Sequence, residues 1–102
     1  MAEVRVIARF VARKGMENQL RALLQGMLAP TRAEQGCKLY ELYESDSGGR
    51  FYFYERWESR AALGQHVATP HFRNLEQTGR ELVKEPFEVN ILREILNGVV
   101  AA

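Results

Sequence analysis

The chain is poor in the residues that staple a fold, bind metal by local motif or cross a membrane. Among its 102 residues there is one cysteine, Cys37. An intrachain disulfide and a cysteine-based metal site are therefore both excluded. The two histidines, His66 and His71, stand five apart with no acid at local ligand spacing, so the sequence reads as having no metal constellation. No glycine-rich strand-to-helix turn is present to cradle phosphate; the glycines at 48 and 49 sit in a hairpin turn instead. No apolar run is long enough for a bilayer. Charge of neither sign dominates: 14 basic and 13 acidic residues leave a formal net charge of +1. The basic residues are scattered, so neither a nucleic-acid surface nor a membrane surface is indicated. Glu3, Arg5 and Arg9 interrupt the basic-then-apolar layout of a secretory leader. A reducing, cytoplasmic setting is the default expectation.

What is present is an ordinary globular balance, 46% apolar and 26% charged, in a length that suits one domain. We read a single domain over 1–102, with its core at about 4–95 and a tail at 96–102. Residues 4–11 alternate with apolar side chains on both faces, which predicts an interior strand covered at least partly on both sides. Arg5 and Arg9 are expected to pair with acids or to reach a rim. Residues 16–29 carry apolar positions at helical spacing, and Pro30 should end or kink that helix. Residues 37–44 alternate as a second strand, with Cys37, Leu39, Glu41 and Tyr43 expected on one face. A turn then leads to a third strand, 51–57, whose Phe51, Phe53, Glu55 and Trp57 share a face. Ser59 should cap a short helix with Ala62, Leu63, His66 and Val67 on one stripe. Thr69 should cap another, opened by Pro70 and running to about Val83. Residues 87–95 alternate again, and the apolar tail after Leu96 is expected to dock on something.

The order strand, helix, strand, strand, helix, strand is the split ferredoxin-like pattern. It predicts an α+β fold: a four-stranded antiparallel sheet with its helices on one face. The other face would expose Tyr52 and Tyr54, a patch that monomers rarely leave open. A face-to-face homodimer is the economical solution.

The chemistry-bearing candidates cluster at 51–72. His66 lies on an apolar stripe facing Trp57, and an imidazole is the side chain that takes and returns a proton near neutral pH. A packed histidine bonded to a backbone carbonyl is the plain alternative. His71 opens a helix, where the dipole disfavours its charged form. Phe53 and Trp57 are core aromatics or the walls of a site for a flat ligand. Glu55 needs a partner if buried. Cys37 reads as a packed residue.

Glu55-Arg56-Trp57-Glu58-Ser59, Ala62-Leu63, His66 and Thr69-Pro70-His71-Phe72, preceded by Gly36-Cys37 and Tyr40, together resemble the antibiotic biosynthesis monooxygenase domain. The resemblance runs over most of the chain and is closest in look to small bacterial quinol monooxygenases. It implies a dimeric α+β barrel that oxidises a small phenol or quinol with molecular oxygen and without metal or organic cofactor. In that setting His66 would be the base, Trp57 and Phe53 the walls, and His71 or Asn90 a holder of a hydroxyl or carbonyl. Haem-degrading relatives place an asparagine on the first strand; Ala8 holds the matching position here, which disfavours haem cleavage. Other relatives isomerise or degrade small signalling molecules such as an autoinducer-2 breakdown product. A non-catalytic module for a hydrophobic ligand is the third possibility.

Overall fold

A computed structural model describes residues 3–96 and 99–100. Its elements run β1 (Val4–Val11), α1 (Glu17–Gln25), α2 (Leu28–Arg32), β2 (Cys37–Glu44), β3 (Arg50–Trp57), α3 (Arg60–Val67), α4 (Pro70–Arg80), β4 (Glu88–Leu92), β5 (Ile95–Leu96) and β6 (Val99–Val100). The first four strands form one antiparallel sheet in the order β2-β3-β1-β4, and β5 pairs with β6 separately. The fold is the expected ferredoxin-like α+β arrangement, with the interior strand β1 at its centre.

Register follows from alternation. Val4, Val6, Ala8 and Phe10 of β1 pair with Trp57, Glu55, Phe53 and Phe51 of β3, and all eight are buried. Leu20, Leu24 and Met27 of the α1–α2 arm, Ala62 of α3 and Leu75 of α4 close over this face. The opposite face carries Ile7, Leu39, Tyr43, Tyr52, Tyr54 and Leu92, and no described element of the chain covers it. Arg5 pairs there with Glu94 and Arg9 with Glu85 and Glu88. Among the described residues no helix is long and apolar enough to cross a membrane.

Four local expectations are corrected. The predicted helix over 16–29 is two helices. Pro30 has no amide hydrogen to give the Gly26 carbonyl, so a continuous helix would lose that bond. The chain turns at Gly26–Met27, where Met27 N–H donates to the Leu24 carbonyl. Pro30 then sits in the first turn of α2, where its missing donor has no intrahelical partner to lose. Second, a bulge lies between Cys37 and Leu39. Cys37 therefore pairs opposite Trp57 while Leu39 pairs opposite Arg56, so the two do not share a face. Third, α4 stops at Arg80 because the edge of β1 captures the chain beyond it. Arg13 N–H donates to the Leu82 carbonyl, Lys84 N–H donates to the Val11 carbonyl, and Val83 bridges Ala12. Fourth, the strand expected over 87–95 is β4 and then β5, a separate short pair with β6. The expected docking of the tail side chains after Leu96 lies outside the described residues.

Candidate active site

Two caps build the corner that carries the histidines. Ser59 is extended and its hydroxyl accepts from Ala62 N–H, which starts α3. Thr69 does two jobs. Its hydroxyl accepts from Phe72 N–H to start α4, and it donates to the His66 carbonyl at 2.7 Å. One side chain thus satisfies an orphan donor of α4 and adds a second bond to the His66 carbonyl, which also accepts from the Thr69 N–H. His66 in the last turn of α3 and His71 in the first turn of α4 are thereby brought together, their ring centroids 6.0 Å apart.

Between them lies a residue that no sequence spacing marked. Glu34 Oε2 is 2.8 Å from His66 Nδ1 and 2.6 Å from His71 Nε2. The loop that delivers it, between α2 and β2, is held by Gly36. Gly36 has φ +95°, a conformation that side chains with a Cβ rarely adopt. A Cβ there would also meet Ala62 Cβ at 2.7 Å and Glu58 Oε2 at 3.0 Å. Glu58 N–H donates to the Gly36 carbonyl and Cys37 N–H to the Glu34 carbonyl. The loop is thereby pressed against α3, with Glu34 aimed at the two imidazoles.

A carboxylate oxygen only accepts. Each ring therefore carries a proton on the nitrogen that faces Glu34. For His66 this leaves Nε2 with a free lone pair, and Nε2 has no hydrogen-bond partner among the described residues. The His66 side chain is only 2% exposed. Its ring packs on Trp57 at 4.5 Å between centroids, with the edges of Tyr40 and Phe72 at 5.7 and 5.1 Å. Burial pulls its pKa below the ordinary histidine value, and the bond to Glu34 opposes that shift. The imidazole is thus held neutral but has a carboxylate behind it to stabilise a captured proton.

His66 forms part of the wall of a narrow, largely apolar cavity of about 80 Å³, lined also by Ala8, Tyr40, Phe53, Glu55 and Phe72. Its rim is Val67 and Val89, 44% and 55% exposed. Phe53 stacks on Tyr40 at 4.5 Å and forms the floor. Glu55 is the second ionisable group in the wall. Burial raises its pKa to about 7, with the charge of Glu34 adding to the effect, while a hydrogen bond from Trp57 Nε1 at 2.8 Å opposes it. Burial also raises the pKa of Cys37, as suits a packed thiol.

Of the residues singled out from sequence, His66 and Phe53 thus reach the cavity. Trp57 does not line it: the indole is fully buried behind His66 and supports that ring and Glu55. His71 does not line it either, because its ring turns to Glu34. Asn90 is on the wrong face. It pairs opposite Ile7 on the uncovered side of the sheet, while its neighbour Val89 pairs opposite Ala8 and faces the cavity.

Residues 3–78 match the family described as antibiotic biosynthesis monooxygenase. The chain belongs to that family. It is 47% identical over 89 residues, 87% of its length and 88% of the other, to Rv0793 of Mycobacterium tuberculosis, which carries the name "Putative monooxygenase". The solved structure of Rv0793 superposes with a TM-score of 0.88 at 44% identity, over 94% of this chain and 98% of that one. That of PA3566 from Pseudomonas aeruginosa gives 0.87 at 29% identity, over 94% and 97%. The family and the name carried by the Rv0793 relative point to monooxygenase-type chemistry. Among the described residues, Glu34, His66 and His71, with donor atoms within 4.8 Å of one another, are a group that could hold a metal ion.

Proposed function

We propose that this protein oxidises a small, electron-rich phenol or quinol with molecular oxygen, using His66 as the proton acceptor. The observation that carries the reading is the neutral His66 imidazole in a mostly apolar wall, its Nδ1–H held by Glu34. Nε2 takes the ring hydroxyl proton, and Glu34 stabilises the imidazolium that results. The phenolate left in the cavity is the electron-rich species that reduces oxygen, and the apolar walls keep water from the radical pair. For a phenol with an open para position, one oxygen atom becomes the new quinone carbonyl and the other leaves as water. Glu55, whose pKa burial raises to about 7, donates in its protonated form to the second oxygen function of a quinol ring.

Cavity size limits the substrate. A volume of about 80 Å³ is roughly half that of a cavity known to admit benzene. One ring edge enters beside His66, and the rest lies at the rim between Val67 and Val89. The uncovered sheet face, with Tyr52, Tyr54, Ile7 and Leu39, supports the homodimer expected from sequence; light scattering of the purified chain tests it.

The test of function is oxygen uptake with a panel of reduced naphthoquinones, whose oxidation leaves hydrogen peroxide, and of naphthols, for which label from ¹⁸O₂ is followed into the quinone. Uptake above the autoxidation blank, lost in His66→Ala, is the expected result. No uptake across the panel overturns the oxygenase reading. One observation favours a second reading: Glu55 and His66 in one cavity form an acid–base pair suited to isomerising a hydroxy ketone. Turnover that persists under anaerobic conditions would decide for it. Ligand binding unaffected by His66→Ala, with no reaction in either atmosphere, would leave a binding module.

A further inference from the structure

We infer that Glu34, His66 and His71 form a binding site for a divalent transition-metal ion of the zinc type, and that its occupancy reverses the proton on His66. Two imidazoles and one carboxylate are a donor set that zinc and cobalt take readily. The three donor atoms, His66 Nδ1, His71 Nε2 and Glu34 Oε2, already converge within 4.8 Å. Four-coordinate zinc has bonds of about 2.0–2.2 Å, which places its donors about 3.4 Å apart. The two short hydrogen bonds to Glu34, 2.8 and 2.6 Å, must lengthen by about 0.6–0.8 Å to reach that spacing, and the His71 ring must swing inward. Both moves are small, since the Glu34 side chain is flexible and His71 stands in an open helical turn.

Access is built in from one side. His71 is 23% exposed and Glu34 13%, while His66 is 2% exposed. An ion therefore enters from the His71 side, with water or a solute completing its coordination. It does not enter through the apolar cavity.

The consequence for His66 follows from valence. A neutral histidine has one ring proton. When Nδ1 gives its lone pair to a metal, that proton must sit on Nε2. His66 Nε2 then becomes a donor to the cavity and can accept no proton. No net proton need leave the neutral His66 ring; its proton changes nitrogen. Metal and substrate proton thus compete for a single imidazole from opposite edges. Only the inhibition that follows rests on the oxidation proposed above; the site itself stands on geometry.

The test uses the tag-free, chelator-treated full chain. Cobalt(II) titration should produce the visible bands of a low-coordinate cobalt site at one ion per chain. His71→Gln keeps a donor for Glu34 but supplies a far weaker ligand, and with Glu34→Gln it should weaken binding by about tenfold or more. Circular dichroism controls for folding in both variants. With zinc added to wild type, ¹⁵N-resolved imidazole spectra should show the His66 proton moved from Nδ1 to Nε2. Absence of the cobalt bands, unchanged affinity in the folded His71→Gln protein, or a proton still on Nδ1 with zinc bound would each overturn the proposal. Failure of the oxygen-uptake assay would leave these readouts untouched.

Discussion

Glu55→Gln should stabilise the protein at alkaline pH and do less at acid pH. Glu55 is 4% exposed, in a mostly apolar wall, and burial raises its pKa from 4.5 to about 7. A carboxyl whose folded-state pKa lies above its unfolded value binds its proton more tightly in the native state. Its favourable contribution is complete below about pH 4.5 and is lost as pH rises through about 7. The interval of about 2.5 units corresponds to about 3 kcal/mol, at about 1.4 kcal/mol per unit. Gln has no proton to lose, and its carbonyl oxygen still accepts from Trp57 Nε1. For a domain of this size, about 3 kcal/mol is roughly 10–20 °C in Tm. The assay is thermal unfolding of wild type and variant at pH 4.5, 6 and 8. Any constant cost of burying the amide cancels in the comparison, as do the lowered pKa values of Glu3 and Glu44 that both proteins share. The gap, variant minus wild type, should widen toward pH 8. A gap that stays flat across pH would refute the claim that Glu55 is a desolvated acid.

Gly36→Ala forces a Cβ into Ala62 at a backbone φ of +95°; the left-handed conformation alone costs about 1–2 kcal/mol, so a Tm loss of several degrees is expected. Thr69→Ala removes both bonds at the α3–α4 corner and should cost about 1–2 kcal/mol by urea denaturation, with weaker activity because the histidines lose their registration. Val89→Phe, at the rim and exposed, should raise KM for bicyclic substrates with little change in Tm. His66→Ala should lower kcat by about 10²–10⁴-fold in the oxygen-uptake assay, the range for a general base.

How much of this was legible in the sequence depends on range. The 51–57 strand fixed its own inner face, because alternation places Phe51, Phe53, Glu55 and Trp57 together whatever it packs on. Ser59 and Thr69 announced their helices because caps act within three residues. Trp57 and His66 meet because a short capped helix returns onto its own strand. Glu34 was not legible: it lies 32 and 37 residues from its histidines, and it is one of 13 acids with nothing local to distinguish it. The constraint on its loop, the positive φ of Gly36, is visible only in the structure. The placement of Asn90 away from the cavity was not legible for a related reason. Which of two adjacent strand residues faces inward is set by pairing with Ala8 and Ile7 on a strand some eighty residues earlier, and a one-residue step exchanges the faces. The face switch at Cys37 comes from a bulge, and the turn at Gly26 from a hydrogen bond that Pro30 cannot make.

The direct test of the central claim is the protonation state of one ring. In long-range ¹H–¹⁵N spectra of the metal-free protein at pH 7, His66 should be neutral, with its proton on Nδ1 and a pyridine-like Nε2. Its pKa should fall below the ordinary histidine value, for which burial is the cause. A proton on Nε2, or a charged ring at neutral pH, would mean that no lone pair faces the cavity and that His66 is not the proton acceptor.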